Sequence, residues 1–313
     1  MKKILFASTA LVATAGVAAA DLTWSGSGRL GVVYTEDNTP NAQETYLDHR
    51  FRLTVNGVTE TDGGVKFEGR IRWQADDSSD NGAGATGGAG AAGFAVSTGG
   101  FRVDVGHVSD VFDSGDVVSW GGNGVGYTGF LDQAANFEGF RKQGFGNGAA
   151  DAQTIKGLYS ISDFTVNASY TLNDRDIAGD DDSWQIGAGY NFGAHRIGAM
   201  YGDNGDAHAS AGSQWAIGAD GSFGDFSYTA LVGDNDVTSD AGGDIMVGLS
   251  GAYAVSAAGT VTGFVSTGGA SSNDTSYGIG YAHSLGGGVS LAAGVGSNSG
   301  GNTQADAGVT FSF

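Results

Sequence analysis

Apolar side chains recur at every second position through most of the chain beyond residue 20. In 304–313, Ala305, Ala307, Val309, Phe311 and Phe313 share one parity, and Gln304, Asp306, Gly308, Thr310 and Ser312 share the other. This period predicts a strand with one oily face and one wet face. Such a strand would be an exposed sheet edge unless it pairs with an early one, so a closed barrel is expected. Near the start, Leu22, Trp24, Leu30, Val32 and Tyr34 lie on one face, with Arg29 on the other. Phe51, Leu53 and Val55 then oppose Arg50, Arg52 and Thr54, and Phe67, Ile71 and Trp73 oppose Glu68, Arg70 and Arg72.

A hairpin follows at 94–96 and 101–105. Further strands are predicted near 152–161, 164–173, 183–192, 195–203, 213–221, 225–233, 243–254, 259–268, 274–284 and 288–297. With 304–313 this makes sixteen. The connections alternate between short turns, such as Ser162-Asp163 and Gly193-Ala194, and longer polar links, such as 174–182 and 204–212. That rhythm predicts an up-and-down antiparallel barrel with both ends at the short-turn rim. Two stretches break the alternation. One is a Gly/Ala run at 76–93. The other, 107–151, is rich in Gly and Asp, and a stretch of that length without strands usually has a function.

A soluble β-sandwich would carry a similar alternation. Strands of about 9–13 residues, the lack of a helical layer, and aromatics near strand ends (Trp24, Tyr34, Trp73, Trp184, Tyr201) favour a membrane barrel with interfacial girdles. A barrel of sixteen strands is too wide for side chains to fill, so it leaves an aqueous channel.

Composition sharpens this picture at a few points. Residues 1–20 read as a secretory signal, with Lys2 and Lys3, an apolar run from Ile4 to Val17, and Ala18-Ala19-Ala20 before Asp21. Glycine takes 58 of 313 positions, proline one and cysteine none. A formal net charge of −20 argues against a nucleic-acid partner. The five histidines (His49, His107, His195, His208 and His283) show no ligand spacing. No serine sits in a nucleophile elbow. Gly121-Gly122-Asn123-Gly124-Val125-Gly126 lacks the lysine of a phosphate loop, so no enzyme is expected.

Charge is unevenly spread over the wet faces. Arg29, Arg50, Arg52, Arg70 and Arg72 all fall on the inward parity of the first three strands. The 107–151 segment carries Asp110, Asp113, Asp116, Asp132 and Glu138 among Val111, Phe112, Trp120, Tyr127, Phe130 and Phe137. Folded inward, it would rest its apolar side on the wall and turn its acids toward the arginines across a narrowed eyelet. An exposed acidic loop is the plainer alternative.

The leader, the stretch Asp21-Leu22-Thr23-Trp24-Ser25-Gly26-Ser27-Gly28-Arg29-Leu30-Gly31-Val32 and the terminal Phe313 resemble the general diffusion porins of the Rhodobacter group. The resemblance in organisation spans 21–313. It implies a homotrimer of all-β, sixteen-stranded antiparallel transmembrane barrels in the outer membrane of a Gram-negative bacterium. These would be set among lipid and lipopolysaccharide and pass ions and small hydrophilic solutes by passive, weakly selective diffusion. It further implies that 107–151 is the pore-constricting loop. Asp110, Asp113, Asp116 and Asp132 would form the acidic side, and Arg29, Arg50, Arg52, Arg70 and Arg72 the basic side. The enterobacterial loop motif Pro-Glu-Phe-Gly-Gly is absent. No cofactor is required, but the resemblance implies calcium at the acidic outer loops, with Asp180, Asp181 and Asp182 as ligands. Solvated loops bridged to lipopolysaccharide by divalent cations are the alternative. A sugar-specific porin would need a line of aromatics down the lumen, whereas most aromatics here face outward. A structural β protein without conductance is the non-transport alternative.

Overall fold

A computed structural model of the chain describes residues 21–36, 43–77, 88–145, 153–172, 182–205, 212–236 and 244–313. The expected signal at 1–20 and the loop acids Asp180 and Asp181 lie outside them. The architecture is a closed antiparallel β-barrel of sixteen strands. They are β1 (Asp21–Thr35), β2 (Thr45–Glu60), β3 (Lys66–Asp77), β4 (Gly93–Thr98), β5 (Phe101–Gly106), β6 (Gln153–Ile161), β7 (Phe164–Leu172) and β8 (Ser183–Phe192). Next come β9 (His195–Asp203), β10 (Ser213–Phe223), β11 (Phe226–Asn235), β12 (Asp244–Ala254), β13 (Gly259–Gly269), β14 (Ser276–Gly286), β15 (Val289–Ser297) and β16 (Thr303–Ser312). A two-residue extended piece, Gly88–Ala89, lies against the same neighbour as β4 and continues its track along β3.

Each strand pairs with the next, and β1 pairs with β16 in a register that sets Arg29 opposite Thr310 and Thr35 opposite Gln304. Closure therefore satisfies both edges, as the terminal alternation predicts. It extends to the last residue. Phe313 exchanges backbone hydrogen bonds with Gly26 (2.8 and 3.0 Å), and its ring stacks on Phe51 at 5.8 Å. Gly26 has to be small, because a Cβ there would collide with the Phe313 ring.

The apolar parity points outward. Leu22, Trp24, Leu30, Phe51, Phe164, Ile186, Ile217 and Tyr277 are all exposed, whereas polar residues of the opposite parity, such as Asp48, Gln185, Gln214 and Ser266, are buried. This inverts the arrangement of a soluble protein and suits a wall facing lipid. Among the described residues no helix is long and apolar enough to cross a membrane. The crossing elements are strands.

β2 is longer than its alternation suggests, running 16 residues. Its first residues fall in a polar stretch, but β1 supplies a complete ladder partner for them, with Tyr34 opposite Thr45 and Val33 opposite Tyr46. Hydrogen bonding from the neighbour overrides a weak local pattern.

The segment after β5 turns into the barrel. It begins with a one-turn helix, α1 (Val111–Ser114), capped by the Asp110 carboxylate on the Asp113 N–H and ended by Gly115 in the left-handed region (φ 70°). Val111, Phe112, Val117, Val118 and Phe137 then bury themselves against Met200, Ala216, Leu231 and Met246 of the inner wall. A smaller cluster joins Val125 and Leu131 to Phe264. The apolar core thus lies between the inserted segment and β9–β13. Two inward glycines allow the close approach: a Cβ at Gly198 would strike the Val117 carbonyl, and one at Gly248 the Gln133 carbonyl.

Candidate pore constriction

The inserted segment has no sheet to bond with, so the polar groups of its backbone need partners from the wall. The inward side chains of the strands supply them. Gln214 grips both backbone polar groups of Arg141, accepting from its N–H (2.8 Å) and donating to its carbonyl (2.9 Å). Gln185 accepts from the Phe112 N–H at 3.1 Å, and Ser250 from the Asn123 N–H at 2.9 Å. The Asn235 amide donates to the Glu138 carbonyl at 2.7 Å, and Arg196 donates to the carbonyls of Gly115 and Asp116 at 2.8 and 3.2 Å. In the other direction, Asn136 of the loop donates to the carbonyls of Gly268 and Asp274.

The far end of the segment is held by acids. Asp306 accepts from the N–H groups of Tyr127 (3.0 Å) and Thr128 (2.9 Å) and from the Thr128 hydroxyl (2.6 Å). The Tyr127 hydroxyl donates to Asp48 at 3.1 Å.

Strand register gathers the arginines. Arg29 faces Arg50 across β1–β2, and across β2–β3 Arg52, Thr54 and Asn56 face Gln74, Arg72 and Arg70. Arg29 is nearly neutralised in place, its guanidinium 2.9 Å from Asp48 and 3.8 Å from Asp76. Arg52 hydrogen-bonds Gln74. Arg70 and Arg72 lie over the Phe145 ring at 3.6 and 4.8 Å, and Arg72 also donates to the Phe145 carbonyl at 3.2 Å. The basic wall therefore meets the returning end of the loop directly.

The four expected loop acids do not behave alike. Asp110 is 1 % exposed and sits in the seam between loop and wall, away from open water. It accepts from the N–H of Gln143 (2.7 Å), the N–H of Asp113 (2.8 Å) and the Gln185 amide (2.8 Å). Burial nevertheless pushes its pKa up to about 6. Its role is a fastening one. Asp113 is exposed within the barrel. Asp116 forms an ion pair with Lys156 of β6 at 2.7 Å. Asp132 accepts from the Ala134 N–H at 2.7 Å. Its pKa is raised by burial, with the Ala134 N–H and Lys142 pulling it back.

Asp116 and the wall meet across a cavity of about 480 Å³. Arg70, Arg102, Lys156, Glu68 and Asp104 line it, together with Ser109 and Ser114 of the loop. Arg102 is held between Glu68 (3.0 Å) and Asp104 (2.9 Å), so this part of the wall carries both signs. Of the outer-loop acids, Asp182 accepts from the Tyr170 hydroxyl at 2.8 Å.

Asp48, Lys142, Lys156 and Asp306 escape a reading of the sequence. Inward parity marks Asp48, Lys156 and Asp306 as wall residues, but nothing local says that a loop will lie on them. Lys142 stands in the irregular segment, where no parity applies.

Comparison with known proteins agrees with this geometry. The sequence profile of the Gram-negative porin family matches residues 7–303. A porin of Fuscovulum blasticum is 31% identical over 294 residues, covering 94% of this chain and all of the relative. Two solved structures of engineered variants of the Rhodopseudomonas blastica porin superpose with a TM-score of 0.78. They are 29% and 28% identical and cover 94% of this chain and 100% of theirs. A barrel with this wall and this inserted segment is a channel for passive diffusion of solutes, and the chain belongs to the Gram-negative porins of the outer membrane.

Proposed function

We propose that the chain passes ions and small hydrophilic solutes with weak selectivity, through a lumen narrowed by the inserted loop, and that it does so as a homotrimer among outer-membrane lipid and lipopolysaccharide. The observation that carries this reading is the cavity of about 480 Å³ between wall and loop, lined by Arg70, Arg102 and Lys156 of the wall and by Asp116 of the loop. Opposed charges across a narrow opening set up a field along its width. A polar solute turns its dipole to that field and loses less on leaving bulk water than an apolar one would. Selectivity stays weak because many charges are already paired, as in Arg29–Asp48, Lys156–Asp116 and Arg196–Asp220. Water in the lumen screens the remainder within roughly 10 Å at 0.1 M salt. Diffusion of this kind needs no catalytic residue and no cofactor. A calcium ion at Asp180, Asp181 and Asp182 would brace the outer loops and take no part in conduction.

Purified protein in planar bilayers tests the reading. Expected are large ohmic steps arriving in threes, a small reversal potential in a salt gradient, and no change in conductance when a calcium chelator is added to assembled channels. Folded barrels that fail to conduct would refute it, and steps arriving singly would remove the trimer.

A further inference from the structure

Lys142 lies on the return limb of the loop, the side counted as acidic when only the aspartates are considered. Its side chain is exposed within the barrel, and its ammonium stands 4.7 Å from the centroid of the Trp120 ring. That ring is a fixed platform, packed edge-on by Phe137 at 5.5 Å and Phe140 at 4.8 Å. Asp113 and Asp132 are close enough to act on the charge of Lys142, yet among the described residues it forms no ion pair with either. Lys156 differs: its side chain is 8% exposed and locked to Asp116 at 2.7 Å. Two backbone fastenings hold the limb in place. Gln214 grips Arg141, and the Asp110 carboxylate accepts from the Gln143 N–H. The position of the cation is therefore built into the loop.

We propose that Lys142 is a selectivity-determining residue of the pore. Its ammonium offsets one of the two charges of Asp113 and Asp132, halving the acidity of the loop side, so that the arginines of β2 and β3 set the sign of the preference. The inference rests on the diffusion reading above. It adds that a lysine of the loop, by cancelling part of the acid charge beside it, tunes how strongly one ion is preferred over the other, whatever the surplus of acids in the whole chain.

The test is reversal potential in a potassium chloride gradient near 0.1 M for the wild type, Lys142→Gln, Lys142→Arg and the double variant Lys142→Gln with Asp113→Asn. One elementary charge removed at several ångströms in water shifts the ratio of cation to anion permeability about two- to threefold. Lys142→Gln is expected to raise the ratio by that factor, Lys142→Arg to leave it in place, and the double variant to return it toward the wild type. Conductance in 1 M salt, where the charge is screened, is expected to match across the set and shows that each barrel is intact. A Lys142→Gln channel that conducts normally with the wild-type ratio would overturn the role of Lys142 while leaving diffusion untouched. A Lys142→Arg shift as large as that of Lys142→Gln would overturn it too. Failure of every variant and the wild type to conduct would instead bring down the diffusion reading itself.

Discussion

Replacing Asp306 by alanine is expected to free the far end of the inserted loop without opening the barrel. The carboxylate is 5% exposed and receives three donors, the N–H groups of Tyr127 and Thr128 and the Thr128 hydroxyl. Hydrogen bonds to a charged acceptor contribute about 1.5–3 kcal/mol each, and a buried donor left without a partner costs about 1–3 kcal/mol. The three bonds share one group and do not add fully, so the tip should lose about 3–6 kcal/mol of docking free energy. At ~1.4 kcal/mol per tenfold, even the lower figure enriches the undocked tip roughly a hundredfold. What remains there is the Val125–Leu131–Phe264 cluster and the bond from Tyr127 to Asp48. The ladders of β16 to β1 and β15 are made by backbone and do not depend on this side chain. Single-channel recording is the assay: Asp306→Ala should flicker between sublevels and become sensitive to protease within 120–131, with the thermal transition of the barrel unchanged. Asp306→Asn retains one accepting oxygen and should fall between. Quiet wild-type current from a folded Asp306→Ala channel, with no gain in cleavage, would refute the fastening role.

Phe112→Ala should loosen the other end of the loop, since the ring is fully buried and packs on Trp120 at 5.8 Å and Phe140 at 5.9 Å. A cost of about 3–5 kcal/mol, falling on loop docking, is expected from truncating such a residue. Hydrogen exchange of the loop amides would register it, and wild-type protection would count against it. For Asp110, the docked pKa of about 6 lies above the ordinary 3.8, so its contribution to docking is full below about pH 4 and is lost as pH rises through 6. Exchange of the α1 amides, corrected for intrinsic rate, should quicken from pH 4.5 to 7.5. Asp110→Asn should flatten this slope, and an unaltered slope in that variant would assign the titration to another group.

The barrel was legible because its cause is local. Alternation of period two is written into each strand, as in Phe164, Val166, Ala168 and Tyr170, and neither the register nor the neighbour has to be known to read it. Strand number, outward aromatics and the inward parity of Arg50, Arg52, Arg70 and Arg72 follow from the same pattern. So does the pairing of the terminal strand with the first, because a half-oily strand at an open edge has no other good partner. The aromatics within 107–145 likewise showed that this segment had an apolar side to bury.

Only the tertiary structure decided what each polar group meets. Tyr127 and Asp306 are 179 residues apart and come together because closure of the barrel brings β16 around to the loop that leaves β5. Counting aspartates in the loop groups Asp110 with Asp113, but a difference of three positions around a one-turn helix sends one into the wall and the other toward water. Charge sums mislead in the same way. Lys156 and Asp116 cancel each other across the gap between wall and loop, and Lys142 sits beside acids that its sequence neighbours do not reveal. Alternation is a property of a strand alone, whereas the electrostatics of the lumen belong to pairs of distant residues, and those pairs exist only after the barrel has closed and the loop has settled inside it.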